Sequence, residues 1–247
     1  MENMLLAVDI GNTNIHCGIF KGDSLGKTFT IKTRDKTLGR KIRPYAKQID
    51  RAIIASVVPE ALKYIEKGLC GVLKCRVLVV GRDVDSGVKN RYRKPGQVGQ
   101  DRLVNARAAF ELYGGRAVVV DFGTAITIDV INDKKEYLGG VIAPGVELSI
   151  DALSRRAVLL PDVALRQPRD ILGRETRESM ISGAIYGYSS LCDGVVERLK
   201  KKYCKRCRVI ATGGMSRLIG PYCKTVNSID PDLTLKGLRL IGEDADV

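Results

Sequence analysis

Two short stretches set carboxylates where phosphate chemistry can use them. Residues 5–20 read LLAVDIGNTNIHCGIF and residues 117–131 read AVVVDFGTAITIDVI, and aligning Asp9 with Asp121 also aligns Gly11 with Gly123. In each, an apolar run ends on an aspartate, turns through a glycine beside Thr or Asn, and resumes as a second apolar run. A tight glycine turn exposes successive backbone N–H groups, which with the Thr or Asn side chain form a small anion-binding concavity. The aspartate adds a hard oxygen ligand for Mg²⁺, directly or through water. One Asp-x-Gly hairpin is equally well a plain turn. Two at equivalent points of a duplicated chain point instead to one nucleotide met from both sides.

A third segment, VIATGGMS (209–216), is a β-type run that ends in Thr-Gly-Gly and leads into a helical pattern. Its glycines allow a flat base or ribose to approach the backbone, although an unliganded strand-to-helix turn has the same composition. Two common nucleotide fingerprints are absent. No G-x-G-x-x-G occurs, and GDSLGKT (22–28) is one residue short of a P-loop.

The elements that must position these turns alternate in type. Strands are expected near 4–9, 15–20, 27–32, 51–57 and 75–80, with helices near 37–48 and 59–69 and from Asp101 to Tyr113. After Gly114-Gly115, which reads as a helix stop, the pattern restarts. Strands are expected near 116–121, 125–131 and 136–143, helices near 145–156 and 176–203, a strand at 207–212, and a closing helix in the last thirty residues. Both halves open with three strands and continue with alternating helices and strands. The expectation is an α/β protein with an internal duplication, divided into residues 1–114 and 115–247.

Composition narrows the function classes. The chain has 247 residues, 45% of them hydrophobic, and a formal net charge of +13. The basic residues are scattered, with clusters in KNRYRK (89–94) and LKKKYCKRCR (199–208), and there is no aromatic-interleaved stacking platform. No nucleic-acid partner is therefore expected; the second cluster suits the C-terminal dipole of a helix. No basic stretch precedes the first apolar run and no run reaches the roughly 18 apolar residues of a membrane span, so a soluble, cytoplasmic protein with no membrane partner is expected. Seven cysteines, an odd number, fit reduced thiols better than a disulfide framework. Cys204 and Cys207 in CKRC have redox or metal-ligand spacing, but zinc would need two more ligands.

Phosphate turn, second phosphate turn and later glycine-rich turn, in that order, resemble the actin-like ATPase superfamily, whose fold is a duplicated ribonuclease H-like one of two βββαβαβα-type halves facing a cleft. Within it the sequence is similar to the type III pantothenate kinase family. The matching motifs are D-x-G-N-T at Asp9–Thr13, SVVP at Ser56–Pro59, PGQVGQDR at Pro95–Arg102, DFGTAIT at Asp121–Thr127 and GGVIAPG at Gly139–Gly145.

The resemblance implies transfer of the ATP γ-phosphoryl group to the terminal primary hydroxyl of pantothenate, the first step towards coenzyme A. It implies that Asp9, Ile10, Gly11, Asn12, Thr13, Asn14, Ile15 and His16 form the first ATP loop, with Asp9 near Mg²⁺, and that Thr124 contacts ATP from the second. Asp101 is the implied general base; Gly99, Gln100, Asp101 and Arg102 line the pantothenate pocket, and Tyr92 and Thr176 match positions that hold pantothenate. Asp121 is the implied ligand of a monovalent cation, K⁺ or NH₄⁺, and the site is shared across a homodimer.

A carboxylate that accepts the proton of a primary alcohol suits this chemistry. The same Asp101 reads locally as a helix N-cap ahead of LVNARAAFELY. Pantothenate is an anion, so Arg102 or the cluster Lys89, Arg91, Arg93 and Lys94 can attract it. His16, the only histidine, is expected on the second strand of the hairpin as a partly buried polar residue rather than a chemical one. One position departs from the family: Gln100 stands where a small residue, usually Ala, precedes the base. It would crowd the pocket or add a hydrogen bond. Two other readings stay open: a kinase of this fold acting on a sugar or carboxylate, and a basic, non-enzymatic regulatory protein that has kept the fold.

Overall fold

The computed structural model describes residues 4–245. Two compact units account for them: residues up to Ala108 together with those from Leu233, and Ala109–Asp232.

In the first unit, β1 (Met4–Ile10), β2 (Asn14–Lys21) and β3 (Ser24–Lys32) form an antiparallel meander. After α1 (Leu38–Ile42), β4 (Ile49–Ser56) joins β1 in parallel, and after α2 (Pro59–Cys70), β5 (Val77–Val79) joins β4 in parallel. The strand order is β3-β2-β1-β4-β5. A two-residue strand β6 (Lys89–Asn90) precedes α3 (Gln100–Tyr113), and the division between the units falls inside α3.

Because β1 is covered on both faces, its sequence reads as a nearly continuous apolar run. Leu6, Val8 and Ile10 pack with Ile15 and Ile54 against Leu38, Ile42, Ala61, Ile65 and Leu69 of α1 and α2. Leu5 and Ala7 pack on the other face with Phe20, Ile53, Val104, Leu235, Leu238 and Ile241. Asp9 follows Leu5 and Ala7 in the alternation, so its side chain leaves the strand on that second face. Slipping β1 by one residue would exchange the two sets. Each fully buried Leu, Ile or Val side chain is worth about 1.5–3 kcal/mol, so the packing alone fixes which way the carboxylate points.

The second unit repeats this plan with β7 (Ala117–Phe122), β8 (Ala125–Ile131) and β9 (Glu136–Pro144) as the meander. The helices α4 (Val146–Arg156) and α5 (Thr176–Tyr203) follow, then β10 (Arg208–Thr212), the short α6 (Ser216–Ile219), β11 (Ser228–Ile229) and α7 (Leu233–Asp244). Both β10 and β11 are parallel additions, so in the sheet order β6-β9-β8-β7-β10-β11 the last five strands match the order of the first unit. Val118, Val120, Phe122, Ile126, Ile128 and Val130 face α4 and α5. That leaves Asp121, Thr127 and Asp129 on the opposite face. Asp129 is 1% exposed and accepts hydrogen bonds from the hydroxyls of Tyr137 (2.8 Å) and Thr127 (3.0 Å). Bonds to a charged acceptor contribute about 1.5–3 kcal/mol each, and a buried carboxylate demands them.

Three features differ from the sequence pattern or lie beyond it. The last helix, α7, packs on β1, β2 and β4 and belongs with the first compact unit. The helix expected over 37–48 is only α1, followed by a 3₁₀ turn at Arg43–Tyr45. Pro44 lies in that turn; it has no N–H to donate, so the α-helical hydrogen-bond ladder cannot continue through it. The short edge strands β6 and β11 had no visible pattern. Among the described residues, no helix is long and apolar enough to cross a membrane.

Candidate active site

The first turn occupies Gly11–Asn14 between the paired residues Ile10 and Ile15. The Gly11 N–H donates to the Asn14 carbonyl (3.0 Å), while Asn12 and Thr13 stand exposed. Thr33, just past β3, buttresses the turn from behind. Its hydroxyl donates to the Gly11 carbonyl (2.7 Å) and its N–H to the Thr13 carbonyl (3.0 Å), and Tyr64 donates to the Thr33 carbonyl. Asp9 and His16 are direct cross-strand partners, and His16 Nδ1 lies 3.1 Å from the Thr30 hydroxyl. The thiol of Cys17 is pushed well above its ordinary value, chiefly by burial and secondly by the nearby Asp9 carboxylate.

Two motifs distant in sequence meet beside this turn. The Val57 N–H, in SVVP, donates to the Ile10 carbonyl (3.1 Å). Ser56 closes the bend with its hydroxyl, accepting from the Val58 N–H (3.1 Å), and Pro59 starts α2. Val57 in turn abuts Gly99: a Cβ there would lie 3.1 Å from Val57 Cγ1 and 2.5 Å from Asp101 Oδ1. Glycine is thus the residue that lets GQDR pack onto SVVP and lets Asp101 reach its place.

Asp101 is not the N-cap that local reading suggests. The helix begins at Gln100, so Asp101 sits in its first turn and Gly99 flanks it. Arg102 N–H is shared between the Gly99 carbonyl (3.1 Å) and Asp101 Oδ1 (2.8 Å), which fixes the carboxylate rotamer. A carboxylate in the first turn is also favoured by the helix dipole, by about 0.3–1 kcal/mol. Arg102 itself is buried.

Gln100 lies against Gly81, in the bend after β5. A Cβ on Gly81 would come within 2.5 Å of Gln100 Nε2, and Gly81 has φ +82°, so the position suits glycine twice over. Tyr92 is presented by a loop that Asn90 organises. Asn90 Oδ1 accepts from Tyr92 N–H (2.9 Å) and Asn90 Nδ2 donates to the Pro95 carbonyl (3.2 Å).

In the second unit the turn is one residue shorter, Gly123–Ala125 between the paired Phe122 and Ile126, with Gly123 N–H donating to the Ala125 carbonyl (3.2 Å). Gly123 and Thr124 are exposed. Gly145, the last residue of GGVIAPG, donates its N–H to the Thr124 carbonyl (3.1 Å), and a Cβ on it would collide with the carbonyls of Thr124 and Gly123. From the other side, Gly213 (φ +88°) presses on the Asp121 carboxylate and the Phe122 backbone, and Met215 N–H donates to the Phe122 carbonyl (3.1 Å). Thr176 is the exposed first residue of α5, positioned by a different element from the turn.

The first unit therefore joins Asp9–His16, Gly99 and Asp101 through contacts, and the second joins Asp121 and Thr124 with the Thr212–Ser216 bend. Thr33 and Gly81 had no signal in the sequence, because each acts through a tertiary contact; Val57 and Met215 lay in recognised motifs, but their contacts were not visible there.

Exposed Thr and Asn side chains beside glycine turns suit phosphate oxygens. The Thr212 hydroxyl is fully buried without a hydrogen-bond partner, on the strand position paired with Asp121. An orphaned hydroxyl next to a carboxylate is a hard-oxygen donor set for a cation.

The duplicated sheets with their two aspartate turns define a ribonuclease H-like fold of the kind found in actin homologues and ROK sugar kinases. A structure described as a conserved Baf family transcriptional activator from Campylobacter jejuni matches at TM-score 0.62 and 23% identity, over 98% of this chain and 100% of that one. A ROK family glucokinase from Streptomyces griseus, in complex with glucose and AMPPNP, matches at TM-score 0.56 and 11% identity, over 98% and 99%. The sequence profile of type III pantothenate kinases matches residues 5–198, and the chain belongs to that family. The enzyme of that name from Moorella thermoacetica is 41% identical over 97% of this chain and 99% of its own length. Its counterpart from Halalkalibacterium halodurans is 42% identical over 96% and 98%.

Proposed function

We propose that this chain transfers the γ-phosphoryl group of ATP to the terminal hydroxyl of pantothenate, giving 4'-phosphopantothenate, the first step of coenzyme A biosynthesis. The observation that carries the reading is the packing of Gly99 on Val57, which seats Asp101 beside the Ile10–Asn14 turn. A primary alcohol is a weak nucleophile at neutral pH, and a rigidly held carboxylate accepts its proton as the new P–O bond forms.

In this reading Ile10, Gly11, Asn12, Thr13, Asn14, Ile15 and His16 form one ATP loop and Thr124 contacts ATP from the other. Asp9 is the carboxylate that would hold Mg²⁺ arriving with ATP; the ion offsets phosphate charge. Gly99, Gln100 and Arg102 bind pantothenate with Tyr92 and Thr176, Arg102 supplying positive charge for its carboxylate. The contact of the Gln100 amide with Gly81 supports the pantothenate reading, since it gives the larger residue a packing role of its own. Asp121 with the buried Thr212 hydroxyl supports a monovalent-cation site, K⁺ or NH₄⁺. A cytoplasmic location suits seven cysteines that are all free.

The test is ADP release from ATP with pantothenate, glucose or acetate as acceptor, in K⁺ and then in Na⁺. Turnover is expected with pantothenate alone and several-fold faster in K⁺. Turnover confined to glucose would overturn the acceptor, and equal rates in the two salts would overturn the cation assignment.

The proposal extends to a homodimer. Val141 and Ile142 on β9, Leu148 and Leu153 on α4, and Leu159 beyond it are exposed, Ile142 by 61% and Leu159 by 90%. An apolar set of this extent on one strand and its following helix is the kind of patch a second copy covers. Ile142→Glu with Leu148→Glu should convert a dimer to a monomer in sedimentation equilibrium. An unchanged mass in the double variant would remove this face from the interface.

A further inference from the structure

The pair Cys204 and Cys207 lies outside everything the kinase reading uses. Cys204 follows Tyr203 as the C-cap of α5, its N–H donating to the Lys200 carbonyl (3.2 Å). Lys205 and Arg206 make the turn, and Cys207 immediately precedes β10, where Arg208 N–H donates to the Arg116 carbonyl (3.3 Å). Cys204 is 2% exposed, while Cys207 is only partly covered. The two thiols are hydrogen-bonded to one another, and the charges of Lys200 and Arg116 act on both.

From this geometry we infer that Cys204 and Cys207 are a dithiol site that exchanges with low-molecular-weight disulfides and closes reversibly into an intramolecular bond. The accessible Cys207 is the attacking sulfur and the buried Cys204 the resolving one. The electrostatics agree with that division. The hydrogen bond from Cys204, with Lys200 and Arg116 behind it, holds the Cys207 thiol below its ordinary value against the opposing effect of burial. The same hydrogen bond, followed by burial, pushes Cys204 far up. Four other covered thiols are raised: Cys192 and Cys223 up to about 12 by burial, and Cys17 and Cys75 upward by the same cause. A thiolate, not a thiol, is the nucleophile, so among the covered thiols Cys207 is the reactive one. A metal reading is not supported, since among the described residues no group of three His, Cys, Asp or Glu gathers to hold an ion.

The chemistry balances as thiol–disulfide exchange. The Cys207 thiolate attacks one sulfur of a small disulfide RSSR, forming a mixed Cys207–SR bond and expelling RS⁻. That thiolate takes the Cys204 proton and leaves as RSH. The Cys204 sulfur then attacks Cys207 Sγ and expels the second RS⁻, which is protonated by water. Two protein thiols are oxidised, and one small disulfide is reduced to two thiols.

The experiment exposes the reduced full-length chain to graded ratios of oxidised to reduced glutathione, alkylates the remaining thiols and maps them by mass spectrometry. The expected result is a Cys204–Cys207 bond formed while the other five thiols still alkylate, and reversed by excess reduced glutathione. Cys204→Ser should instead accumulate a glutathione adduct at Cys207, and Cys207→Ser should show neither bond nor adduct. Oxidation appearing first at Cys70 or Cys75, or Cys204→Ser without an adduct at Cys207, would overturn the inference. The adduct readout needs only that this variant keeps the far-ultraviolet circular dichroism of the parent, and its wild-type counterpart needs no substitution at all.

Discussion

Asp101→Asn is expected to lower kcat by a factor of about 10²–10⁴, the usual contribution of a positioned general base, while leaving ATP binding intact. The substitution keeps shape and the local contact with Arg102 N–H, since an amide oxygen can still accept it. It removes the capacity to take a proton, and one negative charge from the first turn of α3. The lost dipole interaction is worth about 0.3–1 kcal/mol, so the variant should still fold with a small drop in its unfolding temperature. Calorimetric titration with a non-hydrolysable ATP analogue should give an unchanged Kd, because the first turn is held by Thr33 and Asn14 rather than by Asp101. Retained turnover in a folded variant would remove Asp101 from the proton-accepting role. Loss of analogue binding together with turnover would assign it to the nucleotide instead.

The duplication was legible because it is written in local terms. An apolar run broken by Asp-x-Gly is a strand covered on both faces followed by a tight turn, and the structure places both aspartates on the first strand of a meander with a parallel neighbour. The helix from Asp101 to Tyr113 was also visible, to within one residue. The local reading of Asp101 as its cap did not hold, since the start of the helix depends on where Gly99 must sit to clear Val57, and Val57 lies more than forty residues earlier. The same holds for α7. Its amphipathic pattern announces a helix, but only the packing of Leu235, Leu238 and Ile241 on Leu5, Phe20 and Ile53 tells that it belongs to the first unit. Thr33 is the plainest case. Nothing in KTRD marks a residue that ties down a turn some twenty positions upstream, because two hydrogen bonds across a sheet leave no periodic trace. Chemistry carried by short turns is thus readable in the sequence, and the supports that aim it are mostly not.

Those supports make the second strong prediction, on Gly145. Its backbone is extended (φ −68°, ψ 156°), so any residue could adopt its conformation, and the demand for glycine comes from space alone. A methyl there would fall within 2.6 Å of the Gly123 carbonyl oxygen and closer still to that of Thr124. Both obstacles are main chain, which cannot rotate away as a side chain can, so the second turn itself must shift. Overpacking of this kind costs about 1–3 kcal/mol. If the displacement falls on the nucleotide loop, the same energy raises the KM for ATP by about 5- to 150-fold. The KM for pantothenate should stay near the parent value, because Gly99, Gln100 and Arg102 lie in the other unit and Thr176 is carried by α5 rather than by the turn. Gly123→Ala supplies the contrast. Its methyl would have nothing nearer than 3.4 Å and the backbone is not left-handed, so unfolding stability should change by no more than about 0.5 kcal/mol. Thermal unfolding and steady-state kinetics on the two variants separate the cases. A Gly145→Ala protein as stable as the parent, with an unaltered KM for ATP, would mean that the contact between GGVIAPG and the Gly123–Ala125 turn does not set the shape of the ATP loop.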